Sequence, residues 1–363
     1  MKSKRVGQIE FLRFIFCVAV IIFHCSQKIF ESLRGPAFTF GWAPRGYIGV
    51  EFFFLLSGYF MAASIYKMIS PENTVSKGTN YFRFLWKKYI SVFPYHMVAF
   101  AFVLVVDCII EAGVSLTKLL NVIPGFFLIQ RSGISFYNLN GVEWYISAML
   151  IAMAFILPVA VKFKDVYFKV LAPLSALLIY GWLVHEFGTI SGTTEWTPVG
   201  YRCFWRAIAG LNLGAFVFWA VSQMKKIDFT KKEVTFARVS SVVLWVISVV
   251  YAFVYTDKQY EVINVFVMTI ALMLTMTFAS TDGNFMQSKF VMFLGKFSLP
   301  LYLNQIAAIK IVKACFGSVP QAAAVALVLV IDVVFSLICQ YAGDALMRAF
   351  LKSKLNKAVM GIK

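Results

Sequence analysis

Apolar residues fall in stretches of about 20 along the whole chain, separated by short polar or basic breaks. A helix of that length matches the roughly 30 Å hydrocarbon core of a bilayer. The pattern predicts ten helices at roughly 11–30, 47–66, 89–110, 144–161, 170–186, 203–222, 239–255, 262–279, 292–312 and 322–341. One apolar segment does not fit. Leu116–Leu128 is interrupted by Pro124 and Gly125 and is too short to span, so the stretch Glu111–Glu143 is expected to lie in the interface or to re-enter the bilayer partway.

Composition agrees with the pattern. Of 363 residues 60% are hydrophobic and 14% charged, and the mean hydropathy is +0.78. A water-soluble surface cannot be covered from that inventory, so the expected fold class is all-α: a polytopic membrane helix bundle. Residues 1–363 are expected to form one membrane domain, its core about 8–345, with 346–363 a basic cytoplasmic tail. The first apolar run follows Lys2, Lys4 and Arg5, but it contains Arg13 and has no small-residue cleavage site, so it is expected to be retained.

The net charge of +17 would suit a nucleic-acid binder, but its distribution argues against that partner. With the N-terminus inside, Lys and Arg crowd the inner segments near 2–5, 67–88, 162–169, 225–238 and 348–363, and the outer segments hold far fewer. This is the positive-inside bias, and it independently supports ten spans with both termini cytoplasmic. Anionic lipid headgroups and anionic soluble donors are the expected inner partners. The six cysteines contain no Cys-x-x-Cys pair, and neither a disulfide framework nor a metal site is read from them.

Three ionisable positions inside the apolar runs carry the chemistry. Arg13 and His24 are eleven residues apart on the first helix, which returns the second side chain to within roughly 20° of the first, about 16 Å further along. Such groups in hydrocarbon usually face a bundle interior or a watery path. Glu51 on the second helix and Asn304 on the ninth lie within about one turn of His24 in depth. A carboxylate beside an imidazole fixes its tautomer and favours its protonated form, so Glu51 is the first expected partner of His24. An ion pair between Glu51 and Arg206 is the competing, compatible reading. Arg13 either pairs with Glu10 three residues earlier or draws an anion toward His24. Arg83, Lys87 and Lys88 cluster at the inner start of the third helix, as ordinary anchoring or as a seat for a phosphate-rich donor. His96 is expected to be a hydrogen-bonded core histidine without a carboxylate partner, and Asp332 a buried acid of no assigned pair.

The strings FLRFIFCVAVIIFHC (Phe11–Cys25) and GVEFFFLLSGYF (Gly49–Phe60) resemble the first- and second-helix signatures of the integral-membrane acyltransferase-3 family. The basic inner loop ending at Pro94, the Trp144-Tyr145-Ile146-Ser147 opening and LGKFSLPLYL (Leu294–Leu303) also fit, in order, across about residues 8–345. Met149 departs from the pattern, since many relatives carry an acid five residues after that tryptophan.

The resemblance implies transfer of an acyl group, commonly acetyl, from cytoplasmic acyl-CoA as co-substrate to a hydroxyl of a carbohydrate or lipid-linked glycan at the far side of the plasma (inner) membrane. No bound cofactor is expected. The expected roles are His24 as general base, Glu51 steadying its imidazolium, and Arg13, Arg83, Lys87 and Lys88 binding the donor. Ser57, Trp144, Arg206 and Asn304 are expected contacts to the oxyanion or the acceptor. Two further classes remain open on the residues alone: a proton-coupled transporter or flippase of glycan intermediates, and a non-catalytic subunit of envelope assembly.

Overall fold

The structure is a computed structural model and describes residues 5–30, 42–70, 73, 75–111, 113, 115–134, 138–279, 285–316 and 319–361, with the backbone alone at 28 and 30. Twelve helices carry the described chain: α1 (Gly7–Cys25), α2 (Gly49–Met68), α3 (Lys77–Ile110), α4 (Leu116–Phe126), α5 (Trp144–Lys162), α6 (Ala172–Phe187), α7 (Arg202–Met224), α8 (Lys231–Val254), α9 (Glu261–Phe278), α10 (Lys289–Cys315), α11 (Gln321–Lys352) and α12 (Lys354–Met360). The only sheet among the described residues is a two-stranded ribbon pairing Trp196–Thr197 with Gly200–Tyr201. Each of the ten expected helices has a counterpart, and the protein is an all-α polytopic bundle. Among the described residues nine helical segments are long and apolar enough to cross a membrane. α10 carries Lys289, Lys296, Lys310 and Lys313 and falls outside that set, although it packs along α1 and α11.

The outward faces agree with a lipid surround. Val243, Val246, Ile247 and Val250 on α8, and Val330, Val334, Leu337 and Ile338 on α11, are all exposed. In water such surfaces would aggregate; in a bilayer they are the solvent-facing side.

Inside lipid, helices associate through close packing rather than hydrophobic exclusion, and small residues let backbones approach. α2 and α7 show this. A Cβ added to Gly214 would lie 2.0 Å from the Leu55 carbonyl oxygen, and one on Gly58 2.1 Å from that of Leu211. Backbone cannot yield as a flexible side chain does, so Gly214→Ala is expected to cost at least about 1–3 kcal/mol by overpacking. A thermal unfolding midpoint in detergent indistinguishable from wild type would refute that packing account.

Within the stretch 111–143, the C-terminal end of α4 packs into the bundle against α3. His96 sits 14 residues before the outer end of α3, about 21 Å deep, and its Nε2 meets the carbonyl of Phe126, the last residue of α4, at 2.9 Å. Phe126 packs against Phe93, His96 and Phe100. A helix end exposes carbonyls that lipid cannot satisfy, and a buried imidazole supplies a partner here. His96 also has a carboxylate neighbour that sequence depth did not reveal: Glu143 Oε1 lies 3.2 Å from its Nδ1, both side chains fully buried. Glu143, expected in the outer segment, stands at the start of α5 directly against this histidine.

Candidate active site

α1 and α10 run against each other, and Cys17 Sγ donates to the Ser298 carbonyl oxygen at 3.2 Å to pin them together. On α10 the residues Ser298, Tyr302 and Gln305 are spaced four and three apart, so they share one face over about 10 Å of rise. Ser298 and Tyr302 line a cavity of about 220 Å³, and Gln305 meets His24. One helix face thus leads from a cavity in the inner half of the bundle to the imidazole further out.

The cavity gathers cations. Arg13 from α1 and Lys88 from α3 line it, together with Ser57 of α2, Tyr145 of α5 and Met149. Arg13 Nη1 is bonded to Glu10 at 3.0 Å. Lys88 forms no ion pair with a carboxylate among the described residues, and its Nζ lies 6.0 Å from the Phe84 ring centroid. Two cations therefore converge on one cavity while one carboxylate neutralises them in part, and a net positive cavity within a bilayer favours an anionic occupant. Ser57 Oγ and the Tyr145 hydroxyl lie 3.2 Å apart at the wall. Phe53, Tyr145 and Tyr302 form an aromatic layer at its outer end, with ring centroids 5.9 to 6.4 Å apart.

Gln305 orients the histidine. Its Nε2 donates to the Tyr302 carbonyl oxygen at 2.7 Å, which turns Oε1 toward His24 Nδ1, also at 2.7 Å. An amide oxygen only accepts, so Nδ1 carries the proton and the neutral ring keeps its lone pair on Nε2. Replacing Gln305 by Leu is expected to loosen the tautomer and lower kcat at least tenfold with little change in the donor's KM. Gln305→Glu, which can still accept from Nδ1, is expected to retain activity while the acid limb of its pH–rate profile moves to higher pH, because a carboxylate favours the imidazolium. An unmoved profile with kcat intact in both variants would exclude this orienting role.

The expected pairing of His24 with Glu51 does not form. Glu51 Oε1 accepts from Arg206 Nε at 2.9 Å and lies 2.7 Å from Nη2, and its Oε2 accepts from the Tyr180 hydroxyl at 2.5 Å. Glu51 and Arg206 are buried between α2, α6 and α7, and the guanidinium also sits 5.2 Å from the Trp144 ring centroid. Neither depth nor azimuth matches. Glu51 adjoins Phe52, whose ring stacks on Phe16 at 4.8 Å, eight residues and roughly 12 Å along α1 from His24. Glu51 also faces α6 and α7, whereas His24 faces α10. Arg206 and Trp144 accordingly complete an ion-pair staple rather than an oxyanion site.

Asn304 is turned away as well. Its Nδ2 donates to the Pro300 carbonyl oxygen at 2.9 Å within α10, one position and about 100° round from Gln305. Arg83 Nε donates at 3.2 Å to the Val359 carbonyl oxygen of α12, so that cation caps the C-terminal helix, and Lys87 is exposed and away from the cavity. Of the expected donor residues, Arg13 and Lys88 are the two brought together. Gln305, Tyr145 and Tyr302 were missed. Tyr145 and Tyr302 lay inside the family-like strings at Trp144–Ser147 and Leu294–Leu303, and Gln305 just beyond the second, without being singled out.

A family model for an acyltransferase domain, acyltransferase-3, matches residues 6–341. The chain belongs to that family, and it is a multi-pass membrane acyltransferase. No curated protein and no solved structure matches it.

Proposed function

We propose that the protein moves an acyl group, acetyl foremost, from cytoplasmic acyl-CoA to a hydroxyl of a cell-envelope carbohydrate or lipid-linked glycan at the plasma (inner) membrane. The observation that carries this reading is the continuous face of α10, which links a cationic inner cavity to an imidazole held in one tautomer. Arg13 and Lys88 take the donor's pyrophosphate, and the pantetheine arm runs outward along Ser298 and Tyr302, its amides within reach of the Ser57 and Tyr145 hydroxyls. About 16 Å separates Arg13 from His24 along α1, a span for an extended arm.

At the outer end His24 Nε2 removes the proton of the acceptor hydroxyl as its oxygen attacks the thioester carbonyl carbon. The tetrahedral intermediate collapses with cleavage of the carbon–sulfur bond, and the imidazolium returns its proton to the departing thiolate. Gln305 holds the ring through both transfers. Glu51 acts at one remove, locking α2 against α6 and α7.

The test uses purified protein in nanodiscs, radiolabelled acetyl-CoA and membrane glycans. Label is expected to move to glycan, and Lys88→Glu is expected to raise the donor's KM. Proton-dependent glycan uptake into liposomes without label transfer would overturn the reading in favour of transport.

A further inference from the structure

A second and larger cavity, about 730 Å³, opens at the inner face among the approach to α1 and the inner ends of α2, α7 and α9. Its volume is in the range of pockets that hold nucleotide-sized ligands. Three cations from three separate elements line it: Arg5 ahead of α1, Lys67 near the end of α2 and Lys225 just after α7. Its one lining carboxylate is Glu10, which is already bonded to Arg13 at 3.0 Å and lies 3.8 Å from Arg5. Neither Lys67 nor Lys225 forms an ion pair among the described residues. Anchoring to headgroups explains inner lysines in general, but not why three should converge on a hollow walled by Tyr66 and Phe218, whose rings lie 5.1 Å apart.

The two cavities adjoin. Phe60 lines both, and the Glu10–Arg13 bond joins a wall of the second to a wall of the first. A ligand with two anionic centres could place one at Arg13 and Lys88 and the other at Lys67 and Lys225.

Building on the acyl-CoA reading above, we propose that the second cavity seats the nucleoside end of the donor, with its ribose phosphate monoester against Lys67 and Lys225 and its purine on Tyr66 and Phe218. Phosphate on ammonium groups supplies charge-assisted bonds, and an aromatic wall supplies a stacking face for any base. This moves the donor's recognition from the Arg83–Lys87 side of α3 to the opposite side of Phe60. It also makes the site a discriminator between coenzyme A and shorter pantetheine carriers.

The test compares acetyl-CoA with acetyl-phosphopantetheine as donors, alongside equilibrium binding of adenosine 3′,5′-bisphosphate to the full chain in nanodiscs. The double variant Lys67→Glu/Lys225→Glu is expected to raise KM for acetyl-CoA by about tenfold or more, since losing one such bond is worth on that order. Its kcat, and its KM for acetyl-phosphopantetheine, are expected to match wild type, which also reports that the variant folds. Lys67→Gln/Lys225→Gln should give a smaller effect of the same kind. An unchanged KM for acetyl-CoA, or an equal rise for both donors, would overturn the proposal. So would displacement of the bisphosphate by anionic phosphatidylglycerol but not by coenzyme A, which would make the cavity a lipid-headgroup site. If wild type transfers from neither donor, the acyl-CoA reading fails on its own, and bisphosphate binding lost in the double variant still decides whether the cavity holds a phosphorylated nucleoside.

Discussion

Label transfer by His24→Ala is expected to fall by a factor of about 10² to 10⁴, the usual contribution of a positioned general base. The donor's KM should hardly move, because Arg13 and Lys88 lie in the inner cavity, on a different part of the bundle from the ring. Arg13→Ala should do the reverse, raising the donor's KM with a smaller loss of kcat. That split separates a base from a binding residue on the same helix. It is measured from initial rates at varied acetyl-CoA with saturating glycan. Full transfer by His24→Ala would end the mechanism while leaving family membership intact.

Glu51→Ala is expected to destabilise the protein by about 3–5 kcal/mol, because it leaves the Arg206 guanidinium buried without its carboxylate. The paired replacement Glu51→Leu/Arg206→Met removes both charges together and should recover most of that stability, since apolar groups of similar volume often substitute for a buried ion pair at little cost. Activity decides what kind of residue Glu51 is. If the double variant regains transfer along with its unfolding midpoint, Glu51 acts by holding helices. If it folds well and stays inactive, the carboxylate has a direct part in chemistry that the Arg206 pairing does not reveal.

Much of this was legible in the chain because hydrocarbon imposes one-dimensional rules. Span length follows from counting residues, and so the helices and the shared Arg13–His24 face could be read directly. The angular placement of ten helices around one another does not follow from counting. Glu51 was assigned to His24 while its true partners Arg206 and Tyr180 stand on α7 and α6. The same gap hid Gln305: neighbours on one helix point about 100° apart, so depth alone could not separate it from Asn304. The placement of α4 was harder still. Pro124 and Gly125 marked a segment too short to cross, but only the meeting of Phe126 with His96 fixes where it goes.

The layer of Phe53, Tyr145 and Tyr302 has a consequence for the bilayer around the proposed route. A catalyst reached from both sides of a bilayer, as in the transfer proposed above, would in principle be a leak. Three mutually packed rings lining the cavity oppose the continuous file of water that ions and protons need to cross. On the proposed mechanism the bilayer would keep its voltage while the route is used, and any opening that admits the thioester would have to close again before the next turnover.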